Sequence, residues 1–131
     1  MTVRRVILVE DDPDDSELFT IFCGNRTDIA LLPTVGNGVE LMAFLESTAD
    51  YTQLPHLIVL DQNMPRMNGR QTLQALRENP RYASISAVVY STYADTTLIQ
   101  DCKNLGAKMV TSKPIDAEGY RKMMDDFLEF V

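Results

Sequence analysis

The run Leu57-Ile58-Val59-Leu60 ends on Asp61, and this junction restricts the fold more than any other stretch of the chain. Four consecutive apolar residues suit a strand covered on both faces, as in a parallel sheet between helices, rather than a half-exposed strand with alternation. Asp61 then stands at the strand's carboxyl end, the edge beyond which open α/β sheets bind ligands. Two readings of it are open at this point: a functional acid, or a strand-terminating acid that caps the next turn.

The pattern recurs at Val6-Ile7-Leu8-Val9, which runs straight into Glu10, Asp11, Asp12, Pro13, Asp14 and Asp15. Asp12 before Pro13 fits a helix N-cap with proline at the first helical position, and acids in the first turn suit the helix dipole, which explains Asp14 and Asp15. Glu10 and Asp11 precede the cap and share the strand-end position of Asp61. The helix that follows places Leu18, Ile21 and Phe22 on one face and ends near Gly24. Ile29 to Pro33 reads as a strand, and a helix from about Val39 to Ser47 turns Leu41, Met42 and Leu45 inward. His56, the one histidine, begins the Asp61 strand about 16 Å from the carboxylate, too far to serve it as a base. Asn68-Gly69 is a turn signal before a helix to Glu78 with Leu73 and Leu76 inward. Ala87 to Tyr90 is a strand ending at Ser91 and Thr92. Thr96 to Leu105 is a helix with Gly106 as its stop. Lys108 to Ser112 is a strand ending at Lys113-Pro114, and a last helix begins near Ala117. Five βα units in series imply a parallel sheet with right-handed crossovers and helices on both faces.

The 131 residues are the size of one domain, 1–131, and no output domain is expected. No run approaches the ~18 apolar residues of a membrane span, and no secretory signal precedes the first strand, so a cytoplasmic protein is expected. Cys23 and Cys102 fall in helical apolar patterns without CxxC spacing, which fits reduced, buried thiols. With 12 basic and 19 acidic residues and a net charge of -7, binding to nucleic acid or an anionic membrane is opposed, and the sequence offers no local basic patch.

The strand ends together supply Glu10, Asp11, Asp61, Ser91, Thr92 and Lys113. Converging carboxylates repel, which raises a pKa or recruits a cation. Hard oxygen ligands suit Mg²⁺, and Mg²⁺ with Lys113 would bring three carboxylates close to neutrality. A carboxylate can act as a nucleophile toward phosphorus when a metal and fixed donors absorb the charge of the transferring oxygens. Asp61 has the central place for that role, with Ser91 as hydroxyl donor and Lys113 as a point charge.

On the residues Glu10-Asp11, Leu60-Asp61 through Met64-Pro65 and Gly69, Ser91 and Lys113-Pro114, the chain resembles the response-regulator receiver domains of two-component signalling over essentially its whole length. The Met64-to-Gly69 wording further resembles stand-alone receivers paired with phytochrome-like kinases. The resemblance implies a flavodoxin-like doubly wound α/β fold, five parallel strands in the order 2-1-3-4-5 with five helices. It implies Asp61 as phosphoacceptor from a sensor histidine kinase or phosphotransfer protein. It also implies Asp11, Asp61 and the Asn63 backbone carbonyl as Mg²⁺ ligands, Glu10 acting through water, and a cis bond between Lys113 and Pro114. Such a protein is a switch rather than an enzyme, beyond phosphorylating and dephosphorylating itself. Many receivers carry an aromatic three residues before the lysine. Val110 stands there in this chain, and Tyr93, two residues beyond Ser91, is the candidate to take part in the switch instead and to screen the phosphoryl group from water.

Three other functions compete. A flavodoxin-type cofactor binder would meet repulsion at Glu10, Asp11 and Asp12 where its phosphate loop belongs. An aspartyl-nucleophile phosphatase would want an acid where Asn63 stands. A pseudo-receiver would bind partners without phosphorylation, and the intact acid, hydroxyl and lysine argue against that. In the last helix Tyr120, Met123, Met124, Phe127, Leu128, Phe130 and Val131 cover an arc of about 160°, wider than one core face needs. Either all of it is core and terminus, or the excess forms a homodimer or partner surface through the C-terminal helices.

Overall fold

The computed structural model describes residues 2–131. Its strands are β1 (Arg4–Val9), β2 (Ile29–Leu31), β3 (Leu57–Asp61), β4 (Ser86–Ser91) and β5 (Val110–Ser112). They alternate with helices α1 (Pro13–Cys23), α2 (Gly38–Ser47), α3 (Gly69–Glu78), α4 (Thr96–Asn104) and α5 (Ala117–Leu128). All pairings are parallel and the strand order is β2-β1-β3-β4-β5, the doubly wound fold expected. Two strands are shorter than expected: β2 stops before Leu32, and β5 begins at Val110.

The pleat sorts the core into two layers, because alternate residues of a strand face opposite sides. Ile7, Val9, Ile58, Leu60 and Val89 pack with Leu41, Leu45, Leu73 and Leu76 of α2 and α3. Val6, Leu8, Leu57, Val59, Val88 and Tyr90 pack with Phe19, Cys23, Tyr120, Met123, Met124 and Phe127 of α1 and α5. Burial of a large apolar side chain is worth about 1.5–3 kcal/mol, so these layers dominate the stability. Both cysteines are buried and unbridged.

The face of α1 differs from expectation, while that of α5 agrees with the core alternative for all but one ring. In α1 the buried residues are Phe19 and Cys23 with Phe22 partly covered, while Leu18 and Ile21 are exposed. Phe19, Phe22 and Cys23 also have helical spacing, and the aromatic stripe carries more area than its aliphatic neighbour. In α5 the wide apolar arc is mostly core: Tyr120, Met123, Met124 and Phe127 are buried, Leu128 and Val131 pack partly against them, and Phe130 alone is exposed. The surplus that pointed to a homodimer surface is thereby reduced to one ring.

The helix starts follow local chemistry. Asp12 accepts from the N–H groups of Asp14 and Asp15 at 2.8 and 3.3 Å, with Pro13 at the first helical position. Asn68 and Gln71 form a reciprocal capping box on α3, which holds that helix against the end of β3. No cis peptide bond occurs among the described residues, so the bond between Lys113 and Pro114 is trans, contrary to expectation. A prolyl bond prefers trans by about 0.5–1 kcal/mol, and the Lys113 side chain reaches the carboxylates from the trans form.

Candidate functional site

Glu10, Asp61 and Tyr90 continue the alternation of Val6 and Leu8, Leu57 and Val59, and Val88. They therefore project from the sheet face that packs on α1 and α5. Register brings them together, since β3 lies between β1 and β4 with Asp61 paired to Tyr90. One oxygen each from Glu10, Asp11 and Asp61 falls within 4.8 Å of the others. Glu10 and Asp61 are buried and Asp11 is exposed, so the cluster opens to solvent on the Asp11 side.

Lys113 closes the other side. Its Nζ lies 3.0 Å from Glu10 Oε1, 3.2 Å from Asp61 Oδ1 and 2.7 Å from Asp15 Oδ2. The shortest of these pairs involves Asp15, for which helix capping had seemed a sufficient explanation. Three carboxylates thus contact one ammonium, and with Asp11 beside them the four acids, Lys113 and a Mg²⁺ would carry a net charge of −1 rather than balance. The Asn63 N–H donates to Asp61 Oδ1 at 3.3 Å. Glu10 accepts from the Tyr90 hydroxyl at 2.6 Å through Oε1 and from the Asp12 N–H at 3.2 Å through Oε2.

These contacts set the charge states. Burial first, and the adjoining Glu10 second, push the Asp61 carboxyl up to about 7, with Lys113 and the Asn63 N–H acting in the opposite sense. Burial alone would lower the Lys113 ammonium, but its contacts with Asp15, Glu10 and Asp61 outweigh burial and raise it. Burial and then Glu10 raise the Tyr90 hydroxyl far above the usual phenol range, so it is a donor at every ordinary pH.

Ser91 is buried at the end of β4. Its hydroxyl donates to the Tyr93 carbonyl at 3.2 Å and accepts from the Tyr93 N–H at 3.3 Å, while the Tyr93 ring is 76% exposed. Val110 is half-buried in β5. His56 lies at the opposite end of β3, where its Nδ1 accepts from the Arg5 N–H at 2.8 Å.

A cavity of about 510 Å³ is also at that opposite end, lined by Arg4, Arg5, Tyr51, His56 and Arg81 among others. The fold thus gathers basic residues that are far apart in sequence. Arg5 donates to the Leu54 carbonyl and Arg81 to those of Thr48 and Ala49, so these two guanidiniums have structural work as clamps on chain turns. The carboxylate cluster and Lys113 lie at the other rim of the sheet.

The response regulator receiver domain family matches residues 6–125. The chain belongs to that family. Among its relatives are a probable chemotaxis protein CheY of Rhizobium etli, 30% identical over 86% of this chain and 83% of that protein. Response regulator Rcp1 of Synechocystis sp. is 35% identical over 68% of this chain, and the match spans 62% of Rcp1. A solved Mn²⁺-bound form of Rcp1 superimposes with a TM-score of 0.79 at 28% identity, covering 97% of this chain and 93% of that one. The phosphorylated cyanobacterial phytochrome response regulator RcpA superimposes with a TM-score of 0.82 at 28% identity, covering 98% and 94%. Receiver domains are signalling switches that bind Mg²⁺ or Mn²⁺ at an acidic pocket, and the acidic cluster of this receiver is compatible with such an ion. No helix among the described residues is long and apolar enough to cross a membrane.

Proposed function

We propose that this receiver is a phosphorylation-dependent switch whose phosphoacceptor is Asp61. The observation that carries the reading is a buried carboxylate at the end of β3 that shares one ammonium with Glu10, beside Asp11 at an open rim. An Asp61 oxygen attacks the phosphorus of a phosphohistidine on a sensor kinase or phosphotransfer protein. The new P–O bond forms as the P–N bond breaks, and the imidazole leaves and takes a proton from solvent. Hydrolysis by water later returns the carboxylate and releases inorganic phosphate. Likeness to RcpA supports a phytochrome-type kinase as donor.

Glu10, Asp11, Asp61 and the Asn63 backbone would hold Mg²⁺, Glu10 through water, and the ion supplies charge neutralisation for the phosphoryl oxygens. Lys113 pairs with one of those oxygens, exchanging part of its contact with Asp61 for it. Ser91 donates to another and gives up its bond to the Tyr93 carbonyl, which couples the loop before α4 to the phosphoryl group. Phosphorylation changes the local charge by roughly one unit, enough to shift a two-state loop rather than refold the domain, and with it partner binding. Asn63, where a phosphatase would place an acid, cannot act as a general acid, which disfavours the enzyme reading.

Intact mass after incubation with Mg²⁺ and acetyl phosphate tests the reading. The parent is expected to gain one phosphoryl group and Asp61→Asn none. No gain at saturating donor would overturn the reading in favour of phosphorylation-independent partner binding.

A further inference from the structure

We propose that Tyr90 is a positioning residue of the cation site, its buried hydroxyl fixing the Glu10 carboxylate so that Glu10, Asp11 and Asp61 can engage a divalent ion together. The inference rests on reading the rim as a cation-dependent phosphoacceptor site. In sequence Tyr90 is the last member of an apolar strand and looks like filler. In the structure its ring is fully buried and its hydroxyl makes a 2.6 Å hydrogen bond to Glu10 Oε1, the shortest polar contact at the site.

Glu10 is held from three directions. Tyr90 comes from β4, Lys113 Nζ from the end of β5 at 3.0 Å, and the Asp12 N–H from the turn after β1 at 3.2 Å. The carboxylate cannot rotate without losing a donor. The donor itself is fixed, because the Tyr90 ring sits edge-on to Phe19 of α1, with centroids 6.3 Å apart. Its ring face also lies 5.0 Å from Lys113 Nζ, so the same side chain bounds where the ammonium can go. Glu10 and Asp61 repel each other in a buried setting. A fixed donor on Glu10 keeps its carboxylate aimed at the position it shares with Asp11 and Asp61 against that repulsion. Partners of this outer kind set ligand orientation, and losing one typically weakens metal binding 10–100-fold.

The plain alternative is that Glu10 merely satisfies a buried phenol. Tyr82 supplies the comparison: it is equally buried, and its hydroxyl bonds Glu46 Oε1 at 3.0 Å in the other core layer. Mg²⁺ affinity by calorimetry and Mn²⁺ affinity by electron paramagnetic resonance would be measured on the full chain for the parent, Tyr90→Phe and Tyr82→Phe, with Tm alongside. Tyr90→Phe is expected to weaken both ions about tenfold, and to raise the Mg²⁺ concentration for half-maximal phosphoryl uptake from acetyl phosphate by the same factor. Tyr82→Phe should stay within about twofold of the parent, and in a Glu10→Gln background Tyr90→Phe should add less than about twofold, since it acts through Glu10.

Unchanged or tighter binding in Tyr90→Phe overturns the inference alone. Equal weakening in Tyr82→Phe, or the full effect in the Glu10→Gln background, does the same. A parent that binds neither ion overturns the inference together with the cation reading beneath it.

Discussion

Replacing Asp61 by asparagine removes a charge while keeping the shape, and the metal-free protein is expected to become more stable. The Asp61 carboxyl is pushed up from 3.8 to about 7, by burial first and Glu10 second. That is roughly three pH units, each about 1.36 kcal/mol between the two protonation states. Asp61 is itself buried, but the cluster opens to solvent on the Asp11 side, and screening through that opening should leave about 1–3 kcal/mol, a Tm rise of about 4–11 °C. The sign follows from proton counting. Between pH 3.8 and about 7 the folded state keeps a proton that the unfolded chain has released, so parent stability falls as pH rises through that window. Asparagine has no such slope. The two proteins should therefore melt together near the acid end and diverge up to about pH 7, keeping the full gap above it. Circular dichroism melts in chelator across this range measure the gap. Saturating Mg²⁺ should then narrow it by binding the folded parent more tightly than the variant. Equal midpoints at about pH 8 in chelator, or a gap that does not change across the window, would refute an uncompensated carboxylate at this position.

Three further outcomes are expected. A Cβ on Gly69 would stand 2.7 Å from the Asp61 carbonyl oxygen and 3.0 Å from Gln62 Cα, so Gly69→Ala should cost about 1–3 kcal/mol in urea unfolding and slow phosphoryl uptake as β3 shifts. Arg77 donates to the carbonyls of Ala83, Ile85 and Leu105, and Arg77→Met should cost about 2–4 kcal/mol in urea unfolding while leaving Mg²⁺ affinity unchanged. Tyr93→Glu should shorten the lifetime of the phosphoryl group severalfold, followed by the decay of the phosphorylated mass; equal lifetimes would remove Tyr93 from the site.

What the chain discloses by itself depends on how local each feature is. The five strands, the N-cap at Asp12 and the turn at Asn68-Gly69 rest on residues within a few positions of one another, and they are legible directly. The convergence of Glu10, Asp11, Asp61 and Lys113 is legible because α/β topology puts every strand's carboxyl end on one rim. Tyr90 and Asp15 were not. Tyr90 belongs to an apolar run, and only the β3–β4 register carries its hydroxyl to Glu10. Asp15 has a satisfying local role in the first turn of α1 that conceals its contact with Lys113, 98 positions away. The face of α1 was misread because two stripes have the same period, and the arginines near His56 meet only when strands and loops are assembled. The trans bond before Pro114 has no local signature at all.

The phosphoryl group itself gives the decisive reading. Borohydride reduction of freshly phosphorylated protein converts an aspartyl phosphate to homoserine, which peptide mass spectrometry locates. Homoserine at position 61 alone, formed only when Mg²⁺ accompanies the donor, is the expected result. Homoserine at Asp11 or another acid, or a phosphoryl mass gain with no homoserine, would contradict Asp61 as the acceptor.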